Sequence, residues 1–360
     1  MKKDKHGANL FELSKKYNFR IEDIKDFSSN INPLGPSKKA LNILSENLNL
    51  ITTYPDPDYR ELKTSISNYI DANTDDIFLG SGTTQLFREY IALISPKNSL
   101  LLSPCYSEYK NELNKINSII HYYNLKEENN FKINLDELIN YINKNNINLF
   151  IFANPNNPTG TILEKSEIEI LLKKTSAKIL VDETYIEFTD QSIYSSVPLT
   201  KKYKNLFVAR GVSKFFASPG IRLGYGITSD EKTKAELSSN SMLWNITILS
   251  DIMGSSMFKD KEYQKNVYEY ITSERDYMTK EFSKIKDIRV FNSEGNFVLC
   301  KILNNNTSSN LREILLKDAI VIRNCKTFKG LSDKYFRFCI LNKEDNRKLI
   351  EKIKENKKNA

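Results

Sequence analysis

The stretch "INLFIFANPNNPTG", residues 147–160, decides the fold. Its first half is a continuous apolar run, which reads as a strand buried on both faces in a parallel sheet covered by helices. Its second half sets two prolines and a glycine around Asn157, a rigid turn at the strand's carboxyl end. The same pattern recurs on either side. "DDIFLG" (75–80) is a short strand, followed by "TTQLFREYIALIS" (83–95), whose Leu86, Tyr90, Leu93 and Ile94 have helical spacing. "NSLLLSP", "SIIHYYNL", "AKILVDE" and "KNLFVARG" are further strands, and "SEYKNELNKI", "LDELINYINK" and "SEIEILLKK" are helices between strands. This alternation predicts an α/β fold with a mostly parallel sheet and helices on both faces. Toward the C-terminus the pattern changes. "RVFNSEGNFVLCKI" (289–302) reads as a strand pair around Glu294 and Gly295, followed by helix, strand, strand and helix, a smaller α+β unit. The predicted organisation is an N-terminal arm and part of a small domain over 1–45, a large domain over 46–250, and the C-terminal small domain over 251–360.

Composition bounds the function. A chain of 360 residues buries roughly three quarters of its unfolded surface, enough for a large core. Its 53 Lys+Arg against 45 Asp+Glu give a net charge of +8, but the signs are interspersed, which argues against nucleic acid as a partner. Only the tail "EKIKENKKNA" is a basic run, and a solvated helix end accounts for it. No run of 18 apolar residues exists, and "MKKDKHGANLFEL" lacks the apolar centre of a signal peptide, so the expected location is the cytoplasm, away from any membrane. Cys105, Cys300, Cys325 and Cys339 form no CxxC pair, and with His6 and His121 as the only histidines no metal site is expected.

In open α/β sheets ligands bind beyond the carboxyl ends of the strands, so those residues carry the functional reading. After the first strand, Gly82, Thr83 and Thr84 open a helix. Free backbone N–H groups, the helix dipole and two hydroxyls suit an anion there, although an ordinary helix cap has the same letters. No lysine follows in the nucleoside-triphosphate pattern. Tyr106 comes after the next strand behind a proline turn, where an aromatic is ordinarily core. Asn157 presents an amide from its rigid loop. Asp182 ends the apolar run "AKILV", where a carboxylate is costly unless it caps a helix or meets a cation or proton donor, and Tyr185 lies three residues on. Lys214 and Arg222 follow "NLFVAR" within "GVSKFFASPGIRLGYG" (211–226), too apolar for a solvated face and too glycine-rich for a plain helix. Singly, each has a bland alternative. Jointly, an anion cradle, an aromatic plate, an amide, a carboxylate and a lysine match one small molecule, pyridoxal 5′-phosphate, with its phosphate, flat ring, phenolic oxygen, pyridine nitrogen and aldehyde.

With "NPNNPTG", "DETY" and "SKFFASPGIRLGY" in that order, the chain resembles the fold-type I aminotransferases of class I/II, all dependent on pyridoxal phosphate. The resemblance covers nearly the whole length. It implies that Lys214 forms the internal Schiff base, that Asp182 bonds the pyridine nitrogen, and that Asn157 and Tyr185 hold the ring oxygen while Tyr106 stacks on its face. It further implies that Gly82, Thr83, Thr84, Ser213 and Arg222 hold the phosphate. Gly211 stands where many relatives have serine or threonine, so one phosphate contact is expected to be missing. "TTYPDPDYRELK" (52–63) resembles the segment whose tyrosine, here Tyr54, reaches the neighbouring subunit's cofactor phosphate, which implies a homodimer with shared active sites.

Two branches of the family compete. "FSSNINPLGPS" (27–37) resembles the substrate loop of both histidinol-phosphate aminotransferases and threonine-phosphate decarboxylases. The opening "HGANLFELSKKYNFRIEDIKDFSSNINPLG" is similar to the decarboxylases, with Ala8 in place of the usual second glycine, and so is "VIRNCKTFKGLSDKYFRFCI" (321–340). By that resemblance the substrate is a small phosphorylated amino acid, O-phospho-L-threonine or a close analogue such as O-phosphoserine, held by His6, Asn32, Gly35, Asn157, Arg323 and Arg337. Decarboxylation to an aminoalkyl phosphate, as in cobalamin biosynthesis, is the expected reaction. The competing expectation is an aminotransferase acting on histidinol phosphate or another amino acid. A transcription regulator that only binds the cofactor needs an N-terminal DNA-binding domain, for which motifs beginning by residue 27 leave no room.

Overall fold

The computed structural model describes residues 8–358. Its strands, in chain order, are β1 (Lys25–Asp26), β2 (Ile77–Gly80), β3 (Asn98–Ser103), β4 (Ile119–Asn124), β5 (Leu149–Ala153), β6 (Lys178–Asp182) and β7 (Leu206–Gly211), then β8 (Gly224–Ile227), β9 (Ile288–Val290), β10 (Phe297–Ile302), β11 (Ile320–Val321), β12 (Arg323–Asn324) and β13 (Tyr335–Cys339). Seven of them form the central sheet, in the order β2-β8-β7-β6-β5-β3-β4. The run from β4 to β7 is parallel throughout, and β8 is antiparallel to both its neighbours. The sheet is therefore mostly parallel, as the alternation predicts. Every residue of β5 and β7 is buried, because helices cover both faces and leave no solvated side to alternate with. The strand β8 is not legible as one: "GYGI" has two glycines, which weaken a strand, and only tertiary pairing with β2 and β7 makes it.

The sequence-predicted strand pair near residue 295 is β9 and β10, which join β13 and β12 in a four-stranded antiparallel sheet. The N-terminal segment returns to this end of the chain, since β1 pairs in parallel with β11. One consequence governs the site. The carboxyl ends of β2, β3, β5, β6 and β7 all fall on one edge of the central sheet, and the chain carrying Ser28 and Ser29 and the strands carrying Arg323 and Arg337 close over that edge.

Candidate active site

The strand ends open into a cavity of about 300 Å³. Thr83, Thr84, Tyr106, Asn157, Asp182, Tyr185, Ser213, Lys214, Arg222, Arg323 and Arg337 all line it, so residues drawn from 83 to 337 converge on one cavity. Each is delivered by a backbone feature. Gly82 caps the helix Thr83–Ile94 with a φ of 85°, and a Cβ there would lie 2.4 Å from Arg222 Nη2. Only glycine lets the guanidinium approach the helix N-terminus so closely. Arg222 is itself left-handed, φ 56°, and its guanidinium donates to the carbonyls of Ser81 at 3.2 Å and Pro219 at 3.3 Å. Open helix N–H groups, two threonine hydroxyls and an exposed arginine thus share one corner. A Cβ on Gly211 would stand 3.0 Å from Thr83 Cγ2, so the threonine methyl closes the space that a side chain there would need.

Asp182 ends β6 almost wholly buried, at 5 % exposure. Its Oδ1 accepts from the Thr184 amide at 2.9 Å and hydroxyl at 2.5 Å, and its Oδ2 accepts from the Tyr109 hydroxyl at 2.5 Å. Burial pushes its carboxyl above the usual range, and these donors pull against that push. Behind it, Glu183 is locked by Arg210, which is 1 % exposed and meets its carboxylate at 2.7 Å, and by the Ser196 amide at 2.5 Å, so the strand end cannot drift. Lys214 Nζ donates to the Ser29 carbonyl at 2.6 Å. Burial, then the positive charge of Arg337, lowers its amine to about 8. Near neutral pH the amine then has a larger neutral, nucleophilic fraction than an ordinary lysine.

Arg337 Nη1 donates to Asn157 Oδ1, and its Nη2 donates to the Ser28 carbonyl at 2.5 Å. With its carbonyl engaged, Asn157 has its NH2 end to offer a ligand. Asn30 donates to the Tyr185 hydroxyl at 3.1 Å, which leaves that hydroxyl's own proton to be donated elsewhere. Arg323 lies over the Phe328 ring at 5.4 Å and donates to Thr327 at 3.2 Å.

Other expected site residues lie elsewhere. His6 lies outside the described residues. Asn32 does not line the cavity: its amide donates to the Phe215 carbonyl at 2.9 Å and the Tyr263 hydroxyl at 3.0 Å, and its Oδ1 accepts from the Leu34 amide at 2.9 Å. Both ends of the side chain are used in holding the loop against the segment after Lys214. Gly35 is likewise away from the cavity, its carbonyl accepting from Tyr263 at 2.8 Å. Tyr54 is 72 % exposed and stacks on Trp244 at 4.1 Å. Conversely, the cavity is lined by Tyr109, Ser28 and Ser29, which sequence reasoning missed. Tyr109 left a signal, a second tyrosine three residues after Tyr106 and within the first turn of the helix that opens there. The serines left none, because they reach Lys214 and Arg337 through backbone carbonyls that any residue carries.

The family model "Aminotransferase class I and II" matches residues 22–353, and the chain belongs to that family. A protein of Caldanaerobacter subterraneus subsp. tengcongensis that carries the provisional name threonine-phosphate decarboxylase is 36 % identical over 98 % of this chain and 94 % of its own. The adenosylcobalamin biosynthesis bifunctional protein CobDQ of Leptospira interrogans is 32 % identical over 96 % of this chain, which spans 40 % of that longer protein. The crystal structure of the histidinol-phosphate aminotransferase from Clostridium acetobutylicum superposes with a TM-score of 0.88, at 36 % identity, covering 94 % of this chain and all of that one. The cofactor of this enzyme class is pyridoxal 5′-phosphate, and the cavity fits it. The Gly82–Arg222 corner would take the phosphate, Tyr106 could cover one ring face, Asp182 suits the pyridine nitrogen, and the Lys214 amine suits the aldehyde.

Proposed function

We propose that this enzyme decarboxylates O-phospho-L-threonine, or a close analogue such as O-phosphoserine, to an aminoalkyl phosphate, as in cobalamin biosynthesis. The observation that carries the reading is the pair of buried arginines, Arg323 at 6 % and Arg337 at 4 % exposure, on the same cavity wall system as Lys214. Buried guanidinium groups facing a cavity call for anions there. A second cavity of about 250 Å³ shares Arg323 and Ser28 with the first and carries Lys16, Arg312 and Lys326 against Glu12 and Glu313. The net positive recess beside Arg323 favours a substrate with an anionic tail as well as a carboxylate.

When bound, the cofactor supplies an electron sink for the pair released from a bond at the substrate's Cα. The chain's residues do the rest. Lys214 offers its neutral amine and afterwards carries a proton to or from Cα. Asp182 would hold the proton on the ring nitrogen, and Asn157 and Tyr185 would donate to the ring oxygen. Thr83, Thr84, Ser213 and Arg222 would fix the phosphate, and Arg323 and Arg337 would orient the substrate. A second reading, amino transfer to imidazole-acetol phosphate, is favoured by the likeness to the Clostridium acetobutylicum enzyme and by Arg337 backed by Asn157, which would equally clamp a substrate carboxylate. Whether carbon dioxide or a proton leaves Cα would depend on how Arg323 and Arg337 grip the substrate carboxylate. Incubation of the purified protein with O-phospho-L-threonine should release carbon dioxide and yield 1-amino-2-propanol phosphate without 2-oxoglutarate. Amino transfer from glutamate to imidazole-acetol phosphate, with no carbon dioxide from phosphothreonine, would establish the second reading instead.

We also infer a homodimer with shared sites. Tyr54 is exposed and stacks on Trp244, and Met242 and Leu243, which precede Trp244 in the chain, are 68 % and 64 % exposed, an apolar edge that a second copy would cover. Mixing the inactive variants Tyr54→Ala and Lys214→Ala should recover part of the activity, because one of the two sites in a mixed dimer keeps both residues. Exchange of subunits with no recovery would count against sharing.

A further inference from the structure

Tyr109 sits on the helix Ser107–Lys115 and is completely buried. Its ring is held edge-on by Phe87 at 5.4 Å and by Tyr106 at 5.5 Å, so the phenol has one place to point. That place is Asp182 Oδ2, 2.5 Å away, while the Thr184 amide and hydroxyl occupy Oδ1. A strand-end aspartate serving only as a turn needs the Thr184 contacts alone. The Tyr109 contact comes from a different element, across 73 residues of sequence, and both partners border the cavity.

We propose that Tyr109 is the positioning residue of the cavity's carboxylate: its phenol keeps Asp182 ionised and turned toward the ligand, and thereby sets how firmly a ring-nitrogen proton is held. The proposal rests on the reading of Asp182 given above. Its physical ground is a contest. Burial drives Asp182 toward its neutral form, and so does the charge of Glu183 beside it. Hydrogen bonds from Tyr109 and Thr184 favour the anion. Cys105 and Tyr106 face the pair from the loop before the helix, and Tyr185 and Glu187 face it from beyond β6; ionisation of any of them would add negative charge. The phenol is thus one of the groups that tip the balance.

Tyr109→Phe removes one oxygen and leaves every packed carbon of the ring. Without that donor the carboxylate is more basic and draws the proton from the ring nitrogen, which raises the basicity of the lysine-bound cofactor. We expect its visible absorbance change to titrate at higher pH, in the same direction as in Asp182→Asn and by less. Cofactor affinity, measured by equilibrium dialysis on the apo-protein, should fall about tenfold, the effect of one hydrogen bond to a charged group. A purely structural tyrosine would lower the melting temperature and leave the titration in place. An unmoved titration and unmoved affinity in Tyr109→Phe, where Asp182→Asn moves both, overturns the proposal alone. If Asp182→Asn itself moves neither, the reading of Asp182 fails and the proposal with it.

Discussion

Lys214→Ala will abolish turnover, by about 10⁴-fold or more, the upper range of what one positioned proton-transfer group contributes. The protein as purified should be yellow through the lysine-linked cofactor, and the variant should lose that linkage while keeping the fold. Nothing in the packing depends on the ammonium. Among the described residues its Nζ donates to the Ser29 carbonyl, a backbone acceptor, and the apolar neighbours Val212, Phe215 and Phe216 are buried. The variant can still hold unlinked cofactor, because the phosphate corner at Gly82 and Arg222 and the Asp182 carboxylate are untouched. The lowered basicity of Lys214 adds a pH signature. Its amine titrates at about 8 and its neutral form is the nucleophile, so cofactor capture by the apo-protein should accelerate as pH rises through 8 and level off above it. Stopped-flow absorbance across that range checks the sign. A variant that turns over at the parent's rate would remove the central assignment.

The parts of the site that were legible in the sequence share a property. Asn157, Asp182 and Lys214 each end an apolar strand or follow one in a turn, so periodicity locates the strand end and residue type supplies the chemistry. The central sheet was legible for the same reason: β5, β6 and β7 are apolar runs that only burial on both faces can explain. What stayed hidden depends on contacts between segments far apart in the chain. The letters of Asn32 look like a presented amide, yet Tyr263, 231 residues away, and the Phe215 carbonyl take its donors. The pairing of β1 with β11 brings Ser28 and Ser29 over the cavity, and no local pattern announces a parallel pair between residues 25 and 320. Arg323 and Arg337 were visible because a charge inside an apolar strand run demands a partner. Their partners, Asn157 and the Ser28 carbonyl for one and Thr327 for the other, were not.

Asp182→Asn is expected to bind cofactor and to slow the chemical step by about 10²–10³-fold, the scale of losing one preorganised electrostatic contact. The substitution changes charge and leaves volume alone. The new amide oxygen can still accept from the Thr184 amide and hydroxyl, so the turn after β6 persists, and Glu183 remains anchored to Arg210 and Ser196. The side chain's NH2 then replaces Oδ2 and can donate to the Tyr109 oxygen, so the helix Ser107–Lys115 keeps its contact. What the amide lacks is the negative charge that holds a proton on the ring nitrogen, and a ring without that proton is a weaker sink for the electrons leaving Cα. The burial that made the carboxylate costly to place is what makes its loss large, because no solvent can substitute for the missing charge at 5 % exposure. Single-turnover rates with cofactor saturating, at a pH where Lys214 is neutral in both proteins, isolate the chemical step. Equal rates for parent and variant under those conditions would show that the cavity's carboxylate is a structural turn and no more.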